Sequence, residues 1–114
     1  MTNPLKGQVE VQLGSETYKA RLTIDAIVQI EQSIGMGIIK LANKMANADI
    51  SMTDVIAVLT PALRGGGNDL NEKEVKNIIA DVGIVSATTV VANLLAQTLS
   101  DSGEDTQGKQ EAVG

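Results

Sequence analysis

A chain of 114 residues with nine basic and fourteen acidic side chains, a net charge of -5 and neither cysteine nor histidine has room for one ordinary domain. Its composition removes disulfides, thiolate metal sites, the commonest transition-metal ligand and the usual neutral-pH base. Lys/Arg clusters that would displace phosphate counterions are absent, so nucleic acid is not an expected partner, and with Tyr18 as the single aromatic residue the core must be aliphatic.

The opening Met1-Thr2-Asn3-Pro4-Leu5-Lys6-Gly7 has no apolar run and does not read as a signal peptide. Later apolar runs are only a few residues long, too short for a membrane span, so the cytoplasm is the expected location. Gln8 to Leu13 then alternates strictly, with Val9, Val11 and Leu13 on one face and Gln8, Glu10 and Gln12 on the other. That period of two marks a half-buried strand. Gly14-Ser15-Glu16 supplies a turn, and Thr17 to Leu22 follows with Tyr18, Ala20 and Leu22 inward and Lys19 and Arg21 outward. The pair predicts a β-hairpin whose exposed face opposes Glu10 and Glu16 to Lys19 and Arg21.

From Thr23 the period becomes helical. Thr23 is an N-cap with Asp25 in the first turn; Ile24, Ile27, Val28, Glu31 and Ile34 fall at helical spacing, and Gly35 is a natural stop. A second helix is predicted from about Gly37 to Ala48, with Ile38, Leu41 and Met45 inward. Ser51-Met52-Thr53-Asp54 resembles a capping box and opens a third helix burying Val55, Ile56, Leu59 and Leu63, which Pro61 should kink or end early. Gly65-Gly66-Gly67-Asn68-Asp69 reads as a flexible connector. Asn71-Glu72-Lys73-Glu74 is a second cap-and-box start, leading a stripe of Val75, Ile78, Ile79 and Val82 to a stop at Gly83. A last helix is expected from about Ser86 to Leu99. Residues 101–114 hold four carboxylates against Lys109 and lack apolar periodicity, which predicts a disordered acidic tail after a folded body of residues 1–100. The expected class is α+β, an N-terminal β-hairpin followed by about five α-helices.

Candidate chemistry is thin. A phosphate loop follows a strand and usually brings a lysine, whereas the three glycines follow a helix and precede Asn68 and Asp69. Asn68, Asp69, Asn71, Glu72 and Glu74 lack the ligand spacing of a calcium loop, and capping explains them. Glu72, Glu74 and Asp81 would face phosphates in a helix-turn-helix reading, which excludes it. Asp25, Glu31, Asp49, Asp54 and Asp81 are scattered without a basic partner nearby in sequence, so no acid/base pair can be nominated and catalytic, cofactor and metal sites are all read as none. Glu31, close to an apolar stripe, calls for a partner in Lys19, Arg21 or a backbone group.

The ordered set of motifs resembles a family of small tail proteins found in gene transfer agents and related long-tailed phages. The resemblance rests on Asn3-Pro4-Leu5-Lys6-Gly7-Gln8-Val9-Glu10-Val11, Gly14-Ser15-Glu16-Thr17-Tyr18 and Leu22-Thr23-Ile24-Asp25-Ala26-Ile27-Val28-Gln29-Ile30-Glu31. It continues through Ala62-Leu63-Arg64-Gly65, Asn71-Glu72-Lys73-Glu74-Val75, Val82-Gly83 and Ala92-Asn93-Leu94-Leu95-Ala96. Members of this family are described both as tail tube proteins and as tail assembly chaperones. A tube subunit needs extensive sheet, so a mostly helical chain with one hairpin suits the chaperone role, holding the tape-measure protein until tail tube subunits replace it. The alternative is a structural tail or head-tail joining subunit, located in the virion. No enzyme activity, nucleic acid or membrane is expected. The last helix carries more apolar positions than one stripe requires, and Val90, Val91, Leu94, Leu95 and Leu99 are the candidate residues for binding the tape-measure protein or a second copy of the chain.

Overall fold

Two residues, Gly14 and Ser15, connect the strands β1 (Gln8–Leu13) and β2 (Glu16–Arg21), and Gly14 takes φ +70°. Glycine at the first central position is what a type II′ turn needs, and that turn matches the twist of an antiparallel pair. In the computed structural model the backbone is described for residues 8–113 and side chains for residues 8–100, so the expectations for Met1–Gly7 and for an unstructured acidic tail lie outside the described side chains. The register sets Glu10 opposite Lys19, Val11 opposite Tyr18 and Val9 opposite Ala20, so of the expected charge opposition only Glu10–Lys19 is present; Glu16 pairs with Leu13 on the other face, and Arg21 with Gln8. Beside it, the Thr17 hydroxyl donates to Gln12 Oε1 at 3.0 Å.

Five helices follow. In α1 (Ile24–Ile34) the Thr23 hydroxyl accepts the Ala26 N–H at 3.0 Å, and Gly35 at φ +74° ends the helix by donating to the Glu31 carbonyl. The expected cap and stop are both in place. Helix α2 (Ile38–Ala46) ends two residues before the predicted boundary because Ala48 turns left-handed at φ +60°, letting the Asp49 N–H reach the Lys44 carbonyl at 2.8 Å. Helix α3 (Met52–Gly65) opens on a reciprocal Ser51/Asp54 capping box. It runs four residues past Pro61, which neither ends it early nor keeps Ala62 and Leu63 from complete burial. Helix α4 (Glu72–Val82) opens on the Asn71/Glu74 box, as the sequence predicts.

Gly83 alone separates α4 from α5 (Ile84–Val113), and the chain bends there by 116°. The last helix therefore begins two residues earlier than Ser86, and its backbone continues beyond Leu99. Helix α3 forms the centre, packing on β2, α1, α4 and α5, with Val55, Val58, Leu59, Ala62 and Leu63 fully buried. Burying a Val or Leu side chain stabilises by about 1.5–3 kcal/mol, so this one helix carries a large share of the hydrophobic gain. The architecture is α+β, a two-stranded hairpin followed by five helices. Among the described residues no single helix is long and apolar enough to cross a membrane.

Candidate functional site

The five apolar residues singled out on the last helix divide into two groups. Val91, Leu94 and Leu95 are inside the core at no more than 1% exposure, while Val90 and Leu99 are half-buried and pack against its margin. The three buried side chains are held within the fold, and the two marginal ones keep surface that a partner can reach. The outer stripe of α5 is polar and small: Thr89, Asn93, Ala96, Gln97 and Ser100 are exposed.

Large exposed apolar side chains are Ile24 (75%) and Val28 on α1, Ile39 on α2, and Ile84 and Val85 (78%) in the first turn of α5, where Val85 begins that outer stripe. Ile24 and Val28 belong to the helical apolar spacing of α1 in the sequence. At 100° per residue, however, Ala26, Ile27, Ile30 and Ile34 share one arc, and Ile24 and Val28 lie roughly a third of a turn away from it. Ala26 and Ile30 are the side chains that α1 buries, and Ala26 is the signal that could have been read, since a small residue inside the stripe marks close approach to α3.

The three glycines are structural. Gly65 closes α3, and a Cβ there would run into the Arg21 carbonyl; one on Gly66 would overlap the Lys19 carbonyl and come within 2.8 Å of the Ala20 Cα. Asn68 Nδ2 then donates to the Lys19 carbonyl at 2.7 Å and to the Leu63 carbonyl at 3.0 Å. The segment expected to be a flexible connector instead seals the outer edge of β2 against α3. Only glycine permits so close an approach of two backbones.

Glu31 finds its partner in the backbone: Oε2 accepts the Ile38 N–H at 2.9 Å. Gly37, the N-cap of α2, has no side chain to offer, so a carboxylate from α1 caps the neighbouring helix and fixes the α1–α2 corner. Asp54, 8% exposed, accepts the Ser51 N–H in its capping box and lies 3.7 Å from Lys44 Nζ, tying the end of α2 to the start of α3. Asp25, Asp49 and Asp81 are exposed and apart. No three Asp, Glu, His or Cys side chains gather into a metal-binding group among the described residues.

One backbone edge has no such cover. A recess of about 260 Å³ lies between β1 and α5, lined by Val9 to Gln12 on the strand and by Val90, Asn93, Leu94 and Gln97 on the helix. A family model described as phage tail tube protein, GTA-gp10, matches residues 6–101. Neither a curated protein sequence nor a solved structure matches the chain.

Proposed function

The chain belongs to the phage tail tube protein, GTA-gp10 family, and from that premise we propose that it is a non-catalytic tail assembly chaperone that binds the tape-measure protein. The observation that carries this reading is the size of the sheet. Two strands of six residues make one hairpin, whereas a closed tubular wall needs enough strands from each subunit to pass the ladder around the ring. The helices meanwhile leave Ile24, Val28 and Ile39 exposed, with Val90 and Leu99 at the margin of the core. A long helical partner exposes apolar stripes before its sheath of tube subunits forms, and an apolar helix face on a small acidic body is a surface that such stripes can use. Release follows from mass action once tube subunits compete for the same stripes. The working location on this reading is the cytoplasm of the producing bacterial cell.

The second reading, a permanent structural subunit of the tail, is favoured by the family description itself. Quantitative mass spectrometry of purified particles separates the two. A chaperone is absent or strongly substoichiometric, and one copy or more per tube ring refutes the chaperone role. Co-expression gives the complementary test. The chain should raise the soluble yield of the tape-measure protein, and Ile24→Asp with Val28→Asp should reduce that yield without lowering the chain's own melting temperature.

A further inference from the structure

The two edges of the hairpin are treated differently. With a two-residue loop, Leu13 and Glu16 form a hydrogen-bonded pair, and bonding then alternates along the ladder. The N–H and C=O groups of Thr17, Lys19 and Arg21 therefore point out from β2, and those of Gln8, Glu10 and Gln12 point out from β1. On β2 this edge is closed by Gly65, Gly66 and Asn68. On β1 no hydrogen bond reaches the outward backbone groups among the described residues. Natural edge strands are usually protected by lysine, proline or a bulge, and Gln8–Leu13 has none of these.

We propose that β1 is a self-pairing edge, joining antiparallel to β1 of a second copy across a two-fold axis at Val11. The occupant follows from the sequence of the strand. Outward groups lie on even-numbered residues, so even residues must face even residues across the new ladder. Pairing centred on Glu10 would set two carboxylates face to face, which is destabilising. Pairing centred on Val11 sets Glu10 against Gln12 of the second copy, Val11 against Val11 and Val9 against Leu13. Every pair is then apolar–apolar or carboxylate–amide, and four backbone hydrogen bonds form. The apolar face of the enlarged sheet stays continuous, with Val9 of one copy beside Leu13 of the other across the new ladder. This edge lies apart from Ile24 and Val28 of α1, which the tape-measure reading uses, and shares with that reading only Val90, which lines the recess beside β1.

The test is sedimentation equilibrium of the full chain from about 10 μM to about 1 mM, the range in which a small interface of this kind associates. A monomer–dimer equilibrium is expected. Glu10→Pro removes an outward N–H and leaves the β1–β2 ladder intact, so it should abolish the dimer while retaining the far-ultraviolet spectrum. The register makes a sharper demand. Gln12→Lys places opposite charges against Glu10 twice and should tighten the dimer roughly five- to tenfold, whereas Gln12→Glu should loosen it by a similar factor. Should Glu10→Pro unfold the chain, the two Gln12 variants still decide the matter. The proposal is overturned if the chain is monomeric throughout, including a chain that pairs this edge only with another protein. A dimer indifferent to Glu10→Pro, or one that both Gln12 variants shift in the same direction, overturns it equally.

Discussion

Adding one methyl group at Gly66 should unseat the hairpin from the helical body. Gly66 has φ -85° and ψ 0°, a backbone that alanine adopts without strain, so Gly66→Ala isolates the steric effect. The new Cβ would overlap the Lys19 carbonyl and press on the Ala20 Cα, all of it backbone in a paired strand that cannot swing aside. The end of α3 must then move away from β2, straining a contact at which Ala20 and Leu63 are fully buried and weakening the 2.7 Å bond from Asn68 to Lys19. Overpacking costs about 1–3 kcal/mol and the lost hydrogen bond about 1 kcal/mol, offset by about 0.4–1 kcal/mol from a stiffer unfolded chain. The net loss is about 1–3.5 kcal/mol, or about 4–28 °C in melting temperature for a domain of this size. Circular dichroism melting gives the magnitude, and hydrogen exchange at the β2 amides gives the location. Gly67→Ala is the control: its φ of +101° penalises any side chain, but nothing lies within 4 Å, so β2 protection should be unaffected. A Gly66→Ala protein melting within about 3 °C of the parent would refute the reasoning.

Other substitutions test other joints of the fold. Glu31→Ala should cost about 0.5–2 kcal/mol by uncapping α2, with Glu31→Gln recovering much of it through its amide oxygen; equal melting of all three proteins would remove the Ile38 cap from consideration. Gly35→Val should cost about 1–2 kcal/mol or slightly more, because φ +74° disfavours a side chain although the space around it is open, and an unchanged melt would mean the turn is not left-handed in solution. Leu95→Asp should unfold or nearly unfold the chain, since a carboxylate would enter the core, whereas Val90→Asp at the margin should leave a cooperative melt; similar losses from both would contradict the split between them.

The local elements were readable because their signals are short-range. Alternation from Val9 to Leu13 gave the strand, Thr23, Ser51 and Asn71 gave three helix starts, and Gly35 gave a stop, each confirmed by a hydrogen bond or a dihedral angle. What failed depends on backbone conformations that the residue type does not announce or on contacts distant in sequence. Alanine is the best helix former, so nothing in the residue itself announces that Ala48 turns left-handed and ends α2 early. Three consecutive glycines advertise flexibility, and their use in admitting the β2 backbone is visible only once residues 19 and 66 are adjacent. Pro61 removes one helical donor but cannot outweigh the burial of Ala62 and Leu63 beyond it. The candidate surface on α5 was legible as an excess of apolar residues but not in its orientation. Assigning Val91, Leu94 and Leu95 to the interior requires knowing that β1, α2, α3 and α4 all pack on this helix.

The unequal edges of the hairpin also bear on the choice between a chaperone and a wall subunit. A ring of tube subunits needs heterologous contacts, in which each subunit presents two different surfaces and the ladder is handed on from one to the next. Here the outer edge of β2 is occupied by Gly65, Gly66 and Asn68 of the same chain, so a strand arriving there would have to displace α3, whose Val55, Val58, Leu59, Ala62 and Leu63 are fully buried. Only β1 remains to pair, and an edge that pairs with its own kind closes after two copies. Such contacts make dimers and cannot propagate around a tube. For the chain to serve in a wall, α3 would have to release β2, which means breaking the Asn68–Lys19 bond and uncovering Ala20. That cost is measurable. If hydrogen exchange at the β2 amides proceeds only through global unfolding, the edge stays shut under native conditions and the chaperone role is favoured; exchange through a low-energy local opening would return the wall subunit to contention.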